Sequence, residues 1–219
     1  MVNFEKLLHL VFPSECVYCG RLSDDRIHGF CNDCYNSLPI YLKKTGYTRY
    51  IFEYDKKMAR VLKRVKYGGK PGAIKMLAGL LGSLLLEEGI RPDFVTFVPM
   101  HKKEIGERGY NQSGIAARKI AGILGVPCKG KTPLKIRETK RQADLNKYAR
   151  SNNLSGAFKT NEAMVRGKYI LLVDDIITTG STLNECKNTL MTAGAQQVVS
   201  AVIAKTPHNR KNNRRTADM

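Results

Sequence analysis

The sequence predicts an α/β protein, in which a parallel β-sheet is covered by helices and preceded by a small module with four cysteines. Three observations predict this architecture. Short apolar runs of strand length alternate with longer stretches of helical period, as in parallel sheets that carry helices on their faces. One apolar run, residues 170–173, ends in two carboxylates and a loop of small residues. Two C-x2-C pairs lie within residues 1–40.

The four cysteines predict a zinc-binding module at residues 1–40. Cys16 and Cys19 form one C-x2-C pair, and Cys31 and Cys34 form the other. Each pair can direct two thiolates at one ion, and four thiolates complete the tetrahedral shell of a structural zinc site. A segment this short cannot bury a sufficient core, so we expect the metal to supply its stability. A redox or disulfide role is the alternative for this pattern.

The other elements follow in the order of an α/β sheet, within a second domain predicted at residues 41–206. Apolar runs predict strands, and 3.6-residue periodicity predicts helices. The predicted strands are 47–54, 94–98, 134–137, 169–173 and 198–204. The predicted helices are 56–66, 72–88, 111–124, 142–150 and 181–193, of which 142–150 is the weakest. Residues 207–219 are predicted to form a basic, disordered tail.

Residues 170–182 form the most informative segment of the chain. Asp174 and Asp175 follow a buried strand, and a run of Thr, Gly and Ser then begins a helix. Ligands of open α/β sheets bind beyond the carboxyl ends of the strands. Backbone N–H groups at a helix N-terminus favour phosphate, and the two carboxylates suit sugar hydroxyls or Mg²⁺. The segment therefore predicts a sugar-phosphate site, with an ordinary capped helix and solvated turn carboxylates as the alternative.

The charge of the chain indicates an anionic partner. The formal net charge is +18, from 37 Lys and Arg against 19 Asp and Glu. Such a surface attracts polyanions, chiefly nucleic acid, although a generally basic protein with a phosphate site would share this composition. No apolar stretch reaches the length of a membrane span, and the first residues lack the features of a signal peptide. We therefore expect a cytoplasmic protein without a membrane span.

Residues 125–132 satisfy the Walker A pattern G-x4-G-K-T without its structural context. A P-loop needs a strand before it and a helix after it. Here a helix is predicted before the pattern, and Pro133 with the apolar residues that follow predicts an extended exit. The sequence therefore does not favour an ATPase.

The order of these motifs resembles the ComF/GntX-like competence family, in which a four-cysteine zinc module precedes a type I phosphoribosyltransferase-like domain. Segment 170–182 itself resembles the 5-phosphoribosyl-1-pyrophosphate (PRPP) motif of type I phosphoribosyltransferases. The other matching segments are Phe12-Pro13, the two cysteine pairs, Val98-Pro99, Arg108-Gly109-Tyr110-Asn111-Gln112, Arg137, Thr139, Gln142, Arg150 and Asn153.

The resemblance implies a PRPP site with Mg²⁺ as cofactor. Asp174 and Asp175 are the implied catalytic carboxylates, which would meet the ribose hydroxyls. The implied ligands of the 5-phosphate are Thr178, Thr179, Gly180, Ser181 and Thr182. The candidates for the pyrophosphate subsite and for a mobile lid are Met100, His101, Arg108, Arg137 and Gln142.

The resemblance also implies a role in natural transformation. Such a protein would handle incoming single-stranded DNA in the cytoplasm with a helicase-like partner and recombination proteins. One alternative is a non-catalytic DNA-binding adaptor whose sugar-phosphate pocket is a relic. Another is a nucleobase-salvage phosphoribosyltransferase, for which the sequence supplies no recognisable base pocket.

Overall fold

A five-stranded sheet forms the centre of the protein. The computed structural model describes residues 15–16, 18–22, 26–27, 30–38, 41–67, 71–130, 132–137 and 156–207. The described strands are β1 (Arg26–Ile27), β2 (Phe30–Cys31), β3 (Lys43–Thr45), β4 (Thr48–Glu53), β5 (Phe94–Phe97), β6 (Leu134–Lys135), β7 (Phe158–Lys159), β8 (Tyr169–Ile177) and β9 (Gln197–Lys205). The order in the central sheet is β3-β4-β9-β8-β5, and β1-β2 and β6-β7 form two separate pairs.

Seven described helices accompany these strands. They are α1 (Asn32–Asn36), α2 (Lys56–Tyr67), α3 (Pro71–Glu87), α4 (Lys102–Arg108), α5 (Gln112–Leu124), α6 (Glu162–Val165) and α7 (Ser181–Thr192). None of these described helices combines the length and the apolar character that a crossing of the bilayer requires.

Strands β4, β9, β8 and β5 run parallel, and β3 joins the edge antiparallel to β4. Ile170, Leu171, Leu172 and Val173 of β8 are completely buried. A parallel strand with helices on both sides buries both of its faces, which explains why this run is continuously apolar rather than alternating. The predicted parallel sheet with helices on its faces is confirmed.

The apolar core consists of two clusters of buried residues. Leu171 and Val173 pack in the cluster that contains Leu62 of α2, Leu77 of α3 and Ile120 of α5. Ile170 and Leu172 pack in the other cluster, which contains Cys186 and Leu190 of α7. Successive side chains of a strand point to opposite faces, so β8 contributes alternately to the two clusters.

The four-cysteine segment packs on the same core. Cys16, Phe30 and Cys34 are buried in the cluster that contains Met58 of α2. At the surface beside them, the Lys57 ammonium lies 5.8 Å from the centre of the Tyr18 ring. The module is therefore in contact with the first turns of α2.

Most predicted elements are present, and apart from the end of β8 their bounds differ by one residue. The strands predicted at 47–54, 94–98, 169–173 and 198–204 correspond to β4, β5, β8 and β9. The helices predicted at 56–66, 72–88, 111–124 and 181–193 correspond to α2, α3, α5 and α7. The strand predicted at 134–137 is only the two-residue β6, and the helix predicted at 142–150 lies outside the described residues.

The largest correction concerns β8, which the sequence analysis ended at Val173. The strand continues to Ile177, because its pairing with β9 extends to the partners Ile177 and Lys205. Asp174 and Asp175 therefore lie within the last part of the strand rather than after it. The sequence analysis also missed the short elements β3, β7, α4 and α6, since few residues in each of them repeat with a measurable period.

The buried centre of β8 provides a test of this core. Leu171→Ala removes a completely buried side chain, so we expect the free energy of unfolding to fall by about 2–5 kcal/mol. Leu134→Ala is the matched control, because that leucine is 46% exposed, and a change within about 0.5 kcal/mol is expected. Urea denaturation measures both values. Equal losses in the two variants would contradict the described core.

Candidate functional site

The candidate site lies where β8 loses one of its two neighbours. Pairing between β5 and β8 ends at Phe97 and Val173, and the N–H of Val98 then donates to the carbonyl of Val173 at 2.9 Å. Pairing between β8 and β9 continues for four more residues of β8, to Ile177. A gap therefore opens beside Asp174–Ile177, between this strand end and the loop that leaves β5. This is the position at which open α/β sheets bind ligands.

The loop after β8 leads directly into α7. Gly180 occupies the N-cap position with φ of 79°, a left-handed conformation that favours glycine, so the N-cap residue supplies no side-chain cap. The N–H of Ser181 donates to Thr179 Oγ1 at 3.5 Å. The hydroxyls of Thr179 and Ser181 lie 3.0 Å apart. The first-turn N–H groups of a helix and its positive dipole end favour an anion. The predicted phosphate ligands 178–182 therefore lie together at a helix N-terminus.

A small open hollow, here called the motif hollow, is formed by this loop and the end of β8. Its lining residues are Asp174, Ile176, Ile177, Thr178, Thr179, Gly180, Ser181, Thr182 and Leu183. All five residues that the sequence analysis assigned to a phosphate line it, together with one of the two carboxylates. The hollow thus combines hydroxyls, backbone N–H groups and a carboxylate, the groups that bind a phosphorylated sugar.

Hydrogen bonds orient both carboxylates, of which Asp174 lines the hollow and Asp175 does not. Asp174 Oδ1 accepts from the Ser113 hydroxyl at 2.8 Å and from the N–H of Asp175 at 2.9 Å. Asp175 Oδ1 accepts from the N–H of Ile176 at 2.8 Å. Both side chains are half-buried. One oxygen of each carboxylate is thus held by neighbouring groups, which restricts the orientation of both side chains.

Ser113 is a residue of the site that the sequence analysis missed. It is buried in the first turn of α5, 61 residues before Asp174 in the chain. The available signal was the sequence Asn111-Gln112-Ser113, in which an N-cap residue is followed by two polar residues at the start of an apolar helix. That signal predicts the helix start but not the carboxylate that the serine contacts.

Two features hold the start of α5 beside the strand ends. Asn111 caps α5 by accepting from the N–H of Gly114 at 3.1 Å, and its Nδ2 donates to the carbonyl of Val98 at 3.2 Å. A Cβ atom on Gly114 would lie 3.1 Å from the Phe97 ring of β5, so the absence of a side chain permits this approach. The cap and the glycine together bring Ser113 to Asp174.

The pyrophosphate and lid candidates divide into three groups. Met100 and His101 lie in the loop after β5, the strand next to β8, and are half-buried. His101 caps α4: its N–H donates to Glu104 Oε2 at 3.0 Å, and its Nδ1 accepts from the N–H of Lys103 at 3.4 Å. Arg108 is the last residue of α4, whereas the sequence analysis placed it in a loop.

The remaining candidates lie farther along the chain. Arg137 is exposed two residues after β6, and Gln142 lies outside the described residues. The Lys135 ammonium of β6 lies 3.3 Å from Glu104 Oε2 of α4, so the segment that carries Arg137 is attached to the helix that carries Arg108. Of the candidate sets, the described structure brings together the carboxylates and the phosphate loop, with Met100 and His101 in the loop of the adjacent strand.

The four cysteines form a second candidate site. Their Sγ atoms all lie within 4.8 Å of one another, and those of Cys19 and Cys31 are 3.9 Å apart. Tetrahedral zinc with bonds of about 2.3 Å separates its sulfur ligands by about 3.8 Å. None of these four cysteines forms a disulfide. The cluster is therefore compatible with zinc, and the disulfide alternative does not describe this structure.

The surroundings of the four sulfurs favour the thiolate form at Cys16 and the neutral thiol at Cys34. Burial raises the pKa of the Cys16 thiol, but N–H groups directed at its sulfur, among them those of Cys19 and Cys31, bring the pKa to about 6. Burial and the neighbouring thiols raise the pKa of Cys34. Without a cation, four adjacent sulfurs cannot all hold negative charge. A divalent metal would remove this conflict by binding all four as thiolates.

The Walker-like segment does not have the structure of a P-loop. Helix α5 precedes it, and Gly125 ends that helix in a left-handed conformation. Pro127–Lys129 then run beside β5, where the N–H of Val95 donates to the carbonyl of Pro127 at 2.9 Å. Within described residues 132–137, the chain continues into β6 rather than a helix. The predicted exclusion of a P-loop is confirmed for this part of the chain.

Comparison with known proteins places this arrangement in a family. Residues 110–219, half of the chain, match the family described as phosphoribosyl transferase domain. This segment contains α5, β8, the motif hollow and α7, which carry the site described above.

Named relatives match over a longer part of the chain. DNA utilization protein YhgH of Salmonella typhi is 32% identical over 139 residues, which cover 59% of this chain and 61% of that protein. Competence protein F of Haemophilus influenzae is 27% identical over 191 residues, with coverages of 83% and 81%. Competence protein ComFC of Bacillus subtilis is 29% identical over 196 residues, with coverages of 85% and 75%.

The match with YhgH thus spans about three fifths of that relative, whereas those with the two competence proteins include most of both chains. The four-cysteine cluster lies on the amino-terminal side of the family match. The relatives support the resemblance to the ComF-like competence proteins, and a four-cysteine cluster precedes the matched domain. The chain therefore belongs to the phosphoribosyl transferase domain family.

Proposed function

We propose that this protein binds PRPP together with Mg²⁺ and assists the handling of single-stranded DNA in natural transformation. The observation that carries the proposal is the N-terminus of α7, which faces the motif hollow beside two oriented carboxylates. An anion in the hollow would accept hydrogen bonds from the first-turn N–H groups of α7. The sugar attached to that anion would then lie near the carboxylates.

Each part of PRPP has a proposed position. The 5-phosphate binds at residues 178–182, where backbone N–H groups and the small residues Thr, Gly and Ser line the hollow. The ribose hydroxyls donate to Asp174 and Asp175. The pyrophosphate extends toward the loop after β5, where Met100 and His101 lie, with Arg108, Arg137 and Gln142 as further candidates. Bound Mg²⁺ would neutralise the charge of the pyrophosphate. Asp174 and Asp175 are the residues that would hold the Mg²⁺ ion.

The chain's own groups supply positioning rather than covalent chemistry. Phosphoribosyl transfer builds positive charge on the sugar as the pyrophosphate leaves, so fixed carboxylates close to the ribose stabilise it. The bonds from Ser113 and from the backbone N–H groups hold Asp174 and Asp175 before the ligand arrives.

The DNA-related part of the proposal rests on charge and on relatives. The net charge of +18 favours a polyanionic partner. Two relatives are named competence proteins, and a third is named a DNA utilization protein. We propose a cytoplasmic role on incoming single-stranded DNA, with a helicase-like protein and recombination proteins as partners. An adaptor with a relic sugar-phosphate pocket would share this role without binding PRPP.

We also propose that one structural Zn²⁺ is bound by Cys16, Cys19, Cys31 and Cys34. Sulfur separations within 4.8 Å support this assignment. All four positions of a tetrahedral shell would be filled by protein, which leaves no open position for catalysis. The metal would thus stabilise the module and its contact with α2.

Calorimetry with PRPP and Mg²⁺ tests the sugar-phosphate site. The wild-type protein should bind, and Asp174→Asn and Asp175→Asn should each weaken binding by roughly tenfold or more, because each removes a charge at the ribose. Asp93→Asn is the matched control, since Asp93 pairs with Lys168 just before β5, at the opposite end of the strand, and should leave the affinity unchanged. No heat from the wild-type protein would refute the site.

The Ser113 contact gives a second test. Ser113→Ala removes the hydroxyl that holds Asp174, so PRPP–Mg affinity should fall roughly five- to tenfold, or about 1–1.4 kcal/mol. In the Asp174→Asn background, the same change should have little further effect, because the two residues act through one contact. Ser200→Ala, at another buried serine, serves as control. Additive losses from Ser113 and Asp174 would show that the serine acts elsewhere.

Metal analysis and thermal denaturation test the cysteine site. The purified chain should contain about one zinc per molecule, and a chelator should lower its melting temperature. Cys16→Ser should abolish stoichiometric zinc, whereas Cys128→Ser, at a half-buried cysteine outside the cluster, should retain it. Zinc content unaffected by Cys16→Ser would exclude the assigned ligands.

A further inference from the structure

A basic groove lies beside the motif hollow and takes no part in the proposed PRPP site. It is open to solvent, with a volume of about 430 Å³. Its lining residues are Tyr54, Lys56, Ala59, Arg60, Leu62, Lys63 and Ile176. Most of them belong to the first two turns of α2, and Tyr54 precedes that helix. The groove therefore combines an apolar floor, one aromatic ring and three cationic side chains.

Basic side chains predominate in this groove, and the acidic residue next to it in the chain, Asp55, accepts from the N–H of Met58 at 2.7 Å. Helix α2 contains six basic residues and no acidic one. Within the described part of the chain, Lys56, Arg60 and Lys63 form no ion pair. Elsewhere in the sheet domain, Arg49 pairs with Glu88 at 2.8 Å and Lys135 with Glu104 at 3.3 Å. Among the described residues, these three cations are therefore available to an anionic ligand.

The cations are arranged along one line. Lys56, Arg60 and Lys63 are spaced by four and three residues, so they lie on one side of α2. A rise of about 1.5 Å per residue gives a row of about 10 Å, enough for two or three successive phosphates of an extended strand. Tyr54 lies at the same end of the helix as Lys56, where an unstacked base could contact its ring.

The groove and the motif hollow meet at one residue. Ile176 lines both, on the strand whose Asp174 carboxylate also lines the hollow. Ile176 packs against the cluster that contains Leu62 of α2, whereas the next residue, Ile177, packs in the cluster that contains Cys186 of α7. A ligand that lies along α2 would thus end next to the phosphate loop.

We propose that the groove formed by Tyr54, Lys56, Arg60, Lys63 and Ile176 binds the backbone of single-stranded nucleic acid and leads the strand toward the motif hollow. This inference rests on the proposed role in DNA handling and adds the surface that performs it. A single strand fits better than a duplex, because its phosphates can follow the row of cations while a base reaches Tyr54. In a duplex the bases are stacked inside the helix.

Fluorescence anisotropy with a labelled single-stranded oligothymidine of about 20 nucleotides tests this surface on the full, zinc-loaded chain. The double variant Arg60→Gln/Lys63→Gln should weaken binding roughly tenfold or more. It should also reduce the slope of log affinity against log salt by about 1.4, since each lost phosphate contact removes about 0.7. Tyr54→Ala should weaken binding roughly fivefold or more without changing this slope.

The matched control is Lys44→Gln/Lys159→Gln. It removes the same charge from exposed lysines outside the groove, on β3 and β7. Its affinity should stay within about twofold of the wild type. Equal weakening in the two double variants would show that binding depends on diffuse net charge, and the proposed groove would be wrong.

Calorimetry with PRPP and Mg²⁺ on the same variants separates this inference from the proposed function. Arg60→Gln/Lys63→Gln should keep its PRPP affinity, because neither residue lines the motif hollow. If this variant loses PRPP and keeps the oligonucleotide, the groove is a pyrophosphate subsite and the inference fails. If the wild type binds PRPP but no oligonucleotide, the groove and the proposed DNA role both fail, and the sugar-phosphate site stands. If the wild type binds the oligonucleotide but the two double variants weaken equally, the groove fails alone. If the wild type binds the oligonucleotide through the groove but no PRPP, only the sugar-phosphate site fails.

Discussion

The unequal pairing of β8 with its two neighbours is the constraint on which the site depends. The strand is paired on both sides up to Val173, and then only with β9 up to Ile177. Full burial of residues 170–173 fixes the strand in the sheet and thus fixes where its end emerges. The backbone at Asp174 and Asp175 is consequently rigid on one side and open on the other, which suits a binding site that must be preorganised.

The approach of α5 to this strand end is the second requirement. Asn111 connects the helix start to Val98, and Gly114 allows the helix to contact Phe97 closely. These contacts place the Ser113 hydroxyl on Asp174. The family match begins at residue 110, just before this helix, and therefore includes the serine, the carboxylates and the phosphate loop in one segment.

Helix α2 connects the cysteine cluster with the surroundings of the site. Its inner residue Met58 packs in the cluster that contains Cys16 and Cys34, while Arg60 and Lys63 line the basic groove. A metal that orders the cysteines would consequently order the helix that carries the groove. The four-cysteine module would therefore stabilise helix α2 of the neighbouring sheet as well as its own fold.

The sequence by itself determined the elements whose signal is local. The continuous apolar run of β8, the helical periods of α3 and α5, and the spacing of the four cysteines each predict what the structure contains, because neighbours along the chain set them. Of the residues predicted for one sugar-phosphate site, Asp174 and residues 178–182 line one hollow, and Asp175 does not. Contiguous residues at a strand–loop–helix junction must remain close whatever the rest of the fold does.

Only the tertiary structure decided the contacts between distant segments. Ser113 meets Asp174 across 61 residues, β8 extends to Ile177 because β9 continues to pair with it, and Arg108 ends a helix that His101 and Glu104 cap. The groove likewise exists because Ile176 of β8 meets α2. No local pattern encodes these outcomes, since they depend on which strands pair and how far, and that choice is made by burial over the whole sheet.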